Sequence, residues 1–335
     1  MSNNDYLVDV PVRVAIWTRP ECQQKQFEII KKAKPSILFL QSDGGRNEEE
    51  WNAIIKNRKM YDEGVDWNCQ VFKIYENENL GMYAMSKKVQ EYIWERVDRC
   101  IFLEDDYIPS VSFFAFCAEL LERYKDDLRI SMISGNNVFE IHESAKQYDY
   151  FFTEEGWSIW GTATWRNRAQ NRQYPLKYSN NDYVKNCLKD NMPAFWYDKV
   201  DRYCRGILAD GHYPGTEFHY AVNNYLHHQL SIVPTKNMIC NIGKDGEHAK
   251  SNKMRKGKDD VFFNIPAYEV TFPIKHPDYV INDKAFGVAY SKLLGHSRTI
   301  LGLYLVKIRH GLDLLFKGKL ISTLLRKRNN KISEK

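Results

Sequence analysis

The sequence predicts an α/β protein: a mostly parallel sheet flanked by helices, with a basic helical tail behind it. Three observations predict this class. Short β-branched or aromatic apolar runs recur through the first 135 residues. Between them lie stretches with apolar residues three and four apart, and the links are short. Lys and Arg then crowd the end of the chain.

The strand-like runs are "VRVAIWT" (12–18), "SILFLQS" (36–42), "QVFKIYE" (70–76), "RCIFLED" (99–105) and "RISMISG" (129–135). The intervening "PECQQKQFEIIKKAKP", "EEEWNAIIKNRKMYD", "MYAMSKKVQEYIWERV" and "SVSFFAFCAELLERYK" read as amphipathic helices. Alternation of this kind argues parallel strands wrapped by helices. Ligands of such sheets bind beyond the carboxyl ends of the strands. Those ends are Thr18-Arg19-Pro20, Asp43-Gly44-Gly45, Glu76-Asn77 and Glu104-Asp105-Asp106. After about residue 150 the alternation stops, giving way to aromatic-rich and turn-rich segments such as "EEGWSIWGTATWR" and "NIGKDGEHAKSN". With no repeat and no low-complexity linker, residues 1–275 read as one domain, in halves 10–135 and 136–275. Residues 276–335 read as the tail.

At 335 residues, 43% hydrophobic and 14% aromatic, the chain can bury a sizeable core. Its seven cysteines are scattered and form no CxxC pair. They read as reduced thiols of a cytosolic protein, neither a disulfide framework nor a zinc site. The opening "MSNNDYLVDVPVRV" does not read as a signal peptide, and no apolar stretch is long enough to span a bilayer. From His296 onward ten Lys or Arg face only Asp313 and Glu334, so of the net +5 the tail holds +8 and the rest −3. An acidic body with a basic tail is unlike a uniformly basic nucleic-acid binder.

The stretch "IFLEDDYIP" (101–109) ends an apolar run on three adjacent acids. One reading is local: Pro109 and Ser110 open the next helix, and acids near its N-terminus are favourable. Crowding does not decide the matter, since two charges about 5 Å apart repel by only about 3 kcal/mol at an effective dielectric near 20. The other reading is a divalent-cation site, because Mn²⁺ or Mg²⁺ takes oxygen ligands from one or two carboxylates and substrate phosphates.

The triplet, an acid-any-Asp motif after the fourth strand, resembles the DxD motif of GT-A glycosyltransferases, which have a Rossmann-like fold. Its EDD spelling is similar to that of N-acetylglucosaminyltransferase I. It also resembles bacterial capsule and O-antigen transferases, some labelled haemolysin-activation proteins. "VRVAIWTRPE", "LFLQSDGG", "ENENLGMYAMSKK" and "GTEFHYAVNNYLHHQLSIVPTKNMICNIG" extend the resemblance in order over most of residues 12–250. It implies that Thr18, Arg19 and Asp43 lie at the uracil and phosphate end of a UDP-sugar. Glu104 and Asp105 would meet the nucleoside, and Asp106 would ligate Mn²⁺ or Mg²⁺. Read alone, Arg19 is equally a surface charge and Asp43 a stabiliser of the Gly44-Gly45 turn. The family's uracil-contacting His has no evident match.

"NIGKDGEHAKSN" (241–252) reads as a surface turn or as a loop closing over a diphosphate. The resemblance places His248 at the diphosphate or metal, with Glu247 where the family has Ser. An inverting transferase needs a carboxylate to take the acceptor hydroxyl's proton. Glu217 in "PGTEFHY" resembles the segment that carries it, with Glu154, Glu155 and Asp198 as rivals. A helix-opening acid capped by Thr216 is the plainer reading of Glu217. Trp157, Trp160 and Trp165 read as acceptor-pocket walls or as core.

The tail's apolar residues recur at helical spacing from Leu301 to Leu315, with Lys307 and Arg309 between them. They read as a docked terminal helix or as an interfacial helix on an anionic membrane. The expectation is therefore a UDP-sugar glycosyltransferase of capsule, O-antigen or other surface polysaccharide synthesis, hexosyl- or N-acetylhexosaminyl-transferring. Its acceptor would be a glycan, polyprenyl-linked if the tail meets membrane, and its place the cytoplasm, peripherally at the inner face of the cell membrane. The alternatives are a metal-dependent sugar nucleotidyltransferase and a non-catalytic membrane-associated adaptor.

Overall fold

The computed structural model of the protein describes residues 7–170, 177–204, 216–243 and 262–316. The chain forms two compact units, Met1–Pro175 with Gly215–Gly287, and Leu176–Pro214 with Val288–Lys335.

The first unit is built on an eight-stranded mixed sheet in the order β3-β2-β1-β4-β8-β6-β9-β7. Its leading strands are β1 (Val8–Ile16), β2 (Pro35–Ser42), β3 (Gln70–Tyr75) and β4 (Arg99–Leu103), all mutually parallel. The helices α1 (Pro20–Ala33), α2 (Glu48–Gly64) and α3 (Met82–Trp94) connect them. This is the α/β alternation the sequence predicts, with β3-β2-β1-β4 as its spatial order. The two-residue period of the strands sends side chains to opposite faces. Leu38 and Leu40 of β2 join Val12, Val14, Phe27 and Ile30 in one core. Phe39, between them, packs with Met85, Val89 and Ile93 of α3 in a second. Helices thus cover both faces.

Local signals set the helix ends. Pro20 opens α1, and Lys34 closes it in the left-handed region at φ 49°. Asn47 caps α2, its side chain accepting the Glu50 amide at 2.9 Å.

The remaining sheet strands are β6 (Ile130–Ser134), β7 (Tyr150–Thr153), β8 (Thr162–Trp165) and β9 (Leu230–Pro234). β8 runs antiparallel to β4 and β6, β9 is parallel to β6, and β7 is antiparallel to β9. The sheet is consequently mixed in its second half, where the sequence periodicity breaks down.

One expectation is corrected. Pro109 does not open the next helix; it ends a short strand, β5 (Tyr107–Pro109), antiparallel to β10 (Ile239–Asn241). Pro109, lacking an N–H, is tolerated at the end of this two-stranded ribbon. The next helix, α4 (Ser112–Arg123), begins after Val111 and carries no side-chain cap of its own. Glu269 caps it instead, accepting the amides of Val111 at 2.9 Å and Ser112 at 2.7 Å. Burial pushes the Glu269 carboxyl up, but these donors outweigh it and hold the group below its ordinary range.

After the short α5 (Arg166–Gln170), the second unit contains α6 (Asp182–Asn191), α7 (Ala194–Cys204) and the helix Ile300–Phe316. The amides of Ala194 and Phe195 bond to the carbonyls of Arg298 and Ser297 at 3.1 and 3.2 Å. Lys307 Nζ pairs with Asp198 Oδ1 at 2.7 Å. Among the described residues no helix is long and apolar enough to cross a membrane.

Candidate active site

β1 is flanked by β2 on one side and β4 on the other, and ligands of such sheets bind beyond the carboxyl ends of the strands. Arg19 stands there in the turn after β1, and the acidic triplet in the turn after β4. Arg19 Nη1 lies 2.7 Å from Asp106 Oδ2, and its Nε lies 3.3 Å from Asp105 Oδ2. Asp105 is 8% exposed, and its Oδ2 finds no hydrogen-bond partner among the described residues. Burial is the main cause that pushes its carboxyl up to about 7; Arg19 opposes this, while Asp106 and Glu104 add to it. Asp106 is pushed up as well, mainly by burial, with Arg19 again opposing. Burial works against the Arg19 charge, yet the two aspartates outweigh it and raise the guanidinium.

Glu104 points elsewhere. Its Oε1 pairs at 2.8 Å with Arg13 Nη2, whose Nη1 donates to the Leu103 carbonyl at 3.0 Å. Thr18 makes the bend before α1. The carboxylate of Asp43 accepts the amides of Gly44 and Leu80 on Oδ1, at 2.9 and 2.8 Å, and of Gly81 on Oδ2 at 2.9 Å. It thereby ties the end of β2 to the Asn-Leu-Gly turn before α3. The sequence reading of Asp43 as a local turn stabiliser thus captures part of its role, since the carboxylate also spans to a turn 37 residues on.

Two buried glutamines that the sequence reading passed over hold the triplet's backbone. Gln26 Nε2 donates to the carbonyls of Glu104 at 2.6 Å and Tyr107 at 2.7 Å. Gln23 Nε2 contacts the carbonyls of Ala15 at 3.2 Å and Asp105 at 3.4 Å. Both are fully buried on the inner face of α1 beside Phe27 and Ile30. Their signal was present: two polar side chains three apart on an otherwise apolar helical stripe.

The β5–β10 ribbon brings the start of the glycine-rich segment to the same place. The Ile242 amide donates to the Asp106 carbonyl at 3.1 Å, and the Gly243 amide to Asn241 Oδ1 at 2.8 Å. A Cβ on Gly243 would overlap Asp106 Oδ2 and lie 2.8 Å from Arg19 Nη1. Only glycine fits this approach. His248, Glu247 and the rest of 244–261 lie outside the described residues.

Glu217 is exposed in the first turn of α8 (Thr216–His227). Tyr107 is buried, which pushes its phenol well up, and the charges of Glu104, Asp106 and Glu217 add to the shift. Glu217 is therefore within electrostatic reach of the same tyrosine as the triplet. The rivals are engaged: Glu155 accepts the Tyr225 hydroxyl at 2.7 Å, Glu154 contacts Asn282, and Asp198 pairs with Lys307 in the second unit. Trp157 and Trp165 are core, their indole N–H groups donating to the carbonyls of Glu154 and Leu121. Trp160 is half-buried against Phe263 at 5.7 Å.

Among the described residues no group of three or more His, Cys, Asp or Glu side chains gathers to hold a metal. The hard oxygens of Asp105 and Asp106, one of them without a hydrogen bond, nevertheless suit a Mn²⁺ or Mg²⁺ ion that draws its other ligands from phosphate and water. An ion there would compete with Arg19 for both carboxylates.

No protein-family model matches the chain, and no curated protein matches it. Among solved structures it is similar to a mannosyltransferase from Pyrobaculum calidifontis in complex with GDP-mannose and Mn²⁺, at 12% identity and TM-score 0.33, covering 48% of this chain and 46% of that one. Mouse xyloside xylosyltransferase 1 in its apo form gives 11% identity and TM-score 0.35 over 81% and 100% of the two chains. The galactosyltransferase LgtC with donor and acceptor sugar analogues gives 12% and 0.31 over 87% and 97%.

Proposed function

We propose that the chain is a divalent-cation-assisted glycosyltransferase of GT-A type that moves a sugar from a UDP-sugar to a glycan hydroxyl. The observation that carries this reading is the Asp105–Asp106–Arg19 cluster beyond the carboxyl ends of β1 and β4, with Gly243 packed against Asp106. It joins two features a nucleoside diphosphate needs. Adjacent carboxylates can share a cation with the phosphates, and a guanidinium can bind phosphate oxygens in a fork. The close glycine lets the backbone approach the same place, its own amide held by Asn241 Oδ1.

Asp106 and Asp105 would hold Mn²⁺ or Mg²⁺, which when bound would neutralise charge on the leaving diphosphate. Arg19, released from the aspartates, would then bind a phosphate oxygen. In the transfer itself the acceptor hydroxyl oxygen bonds to the anomeric carbon as the bond to the diphosphate oxygen breaks. The nucleoside diphosphate leaves with the bonding pair, and Glu217 takes the hydroxyl proton. Attack opposite the leaving group inverts the anomeric centre. Surface polysaccharide synthesis, capsule or O-antigen, is the setting this reading favours, with a polyprenyl-linked glycan as acceptor.

A sugar nucleotidyltransferase is the weaker reading. Such enzymes need a glycine-rich basic loop after the first strand, whereas here Thr18 and Arg19 lead directly into α1 at Pro20. A thermal-shift panel of nucleotide sugars, with and without Mn²⁺, tests the proposal, because a ligand that binds only the folded chain raises its stability. UDP-sugars should stabilise it in a Mn²⁺-dependent way. Stabilisation by nucleoside triphosphates alone would favour the nucleotidyltransferase.

A further inference from the structure

The helix Ile300–Phe316 is tied to its own unit through Lys307, which pairs with Asp198 of α7. Most of its surface is uncovered, Ile300 and Val306 included. Leu301, Tyr304, Leu305, Ile308, Leu312 and Leu315 are all exposed, Leu301 to 72%. At about 100° per residue these six fall within one arc of about 100°. Along the axis, Leu301 to Leu315 spans about 21 Å. Lys307 borders the arc on one side and the exposed Arg309 on the other; Val306, also exposed, lies off it.

We propose that this face lies on an anionic lipid surface, with the helix parallel to the membrane plane. A contiguous apolar stripe of this extent marks an interaction site. Charge selects the partner. From His296 onward the chain carries ten Lys or Arg against two acids, while the remainder is net negative. A second copy on the same face would bring like charges together. Anionic lipid supplies an apolar layer for the six side chains and negative headgroups for Arg309 beside the stripe and for the excess of bases in the segment. Over its described residues the helix is not long and apolar enough to cross a bilayer, and the proposal places it in the interface.

The test is vesicle sedimentation of the full chain without nucleotide or acceptor, so its outcome is independent of the transferase reading. The probes are phosphatidylcholine vesicles with and without phosphatidylglycerol. The wild type should sediment with the anionic vesicles and less with the neutral ones, and added salt should weaken binding without abolishing it. Leu305→Glu/Ile308→Glu should reduce binding at least about tenfold with an unchanged thermal melt, since both side chains are exposed. Leu301→Ser/Leu312→Ser, a milder change, should reduce it less. Wild-type protein that ignores both vesicle types, or a Glu variant that binds as the wild type does, overturns the proposal. So does light scattering that finds a wild-type dimer converted to monomer by the Glu variant, which would assign the face to a second copy.

Discussion

Arg19 Nη1 lies 2.7 Å from Asp106 Oδ2, joining the turn after β1 to the turn after β4 through one ion pair. The guanidinium is the counter-charge of two carboxyls that burial pushes up. A divalent ion must therefore displace it. Arg19→Gln should let Mn²⁺ bind in the absence of nucleotide at least about tenfold more tightly than in the wild type, while weakening UDP. Without metal it should melt lower, by about 1–2 kcal/mol for a partly exposed pair. Calorimetry of Mn²⁺ alone checks this; unchanged affinity would show that Arg19 does not guard the pair.

Asp105 gives a pH dependence whose sign is unusual for a carboxylate. Its folded pKa, about 7, lies above its ordinary value of 3.8. Between these the folded chain holds a proton that the unfolded chain has released. Stability contributed by this group is therefore full below about pH 4 and is lost as pH rises to about 7. Relative to Asp105→Asn, the metal-free wild type should lose melting temperature across that window and stay level above it. A difference that is flat with pH would remove the raised carboxyl from the account.

Gly243→Ala tests how tightly the glycine segment closes on the triplet. The added Cβ overlaps Asp106 Oδ2, and relief requires movement of the backbone or of the carboxylate. Overpacking of this kind costs about 1–3 kcal/mol, and UDP affinity should fall with it. An alanine variant with wild-type melting and UDP affinity would place the segment farther from Asp106.

Gln26→Leu removes both donors to the Glu104 and Tyr107 carbonyls while keeping the volume. Leaving two buried acceptors unpaired should cost about 2–4 kcal/mol. The more specific readout is Mn²⁺-dependent UDP affinity, which should fall because the triplet's backbone is no longer fixed. A loss of stability with unchanged affinity would make Gln26 a packing residue only.

Glu217→Gln should leave UDP-sugar binding intact and slow transfer about a hundredfold, the usual range for losing a general base. Near-wild-type transfer would move the base to Glu155 or Asp198, or remove the need for one.

The first half of the sheet was legible because its strands and helices carry clean two-residue and three-to-four-residue periods, from Val12 through Ser134. The triplet stood out for a related reason: acids directly after the buried Ile101 and Leu103 interrupt a strand pattern. What the sequence hid is long-range. Nothing local says that Tyr107–Pro109 would pair with Ile239–Asn241, or that Glu269 would cap a helix beginning at Ser112. Asp43 looked like a turn residue because its second partner, the turn at Leu80 and Gly81, is distant in sequence. Gln23 and Gln26 stand on the apolar stripe of α1 itself, but their carbonyl partners at Glu104, Asp105 and Tyr107 are distant in sequence.

On the reading proposed here, Asp105 and Asp106 bind a divalent cation together with a nucleoside diphosphate. UDP titrated calorimetrically into the full chain and into Asp106→Asn, with and without Mn²⁺, checks this. Mn²⁺ should raise wild-type UDP affinity at least about tenfold and leave that of the folded Asp106→Asn variant unchanged. Wild-type affinity indifferent to Mn²⁺, or a Mn²⁺ gain that survives in Asp106→Asn, would contradict it.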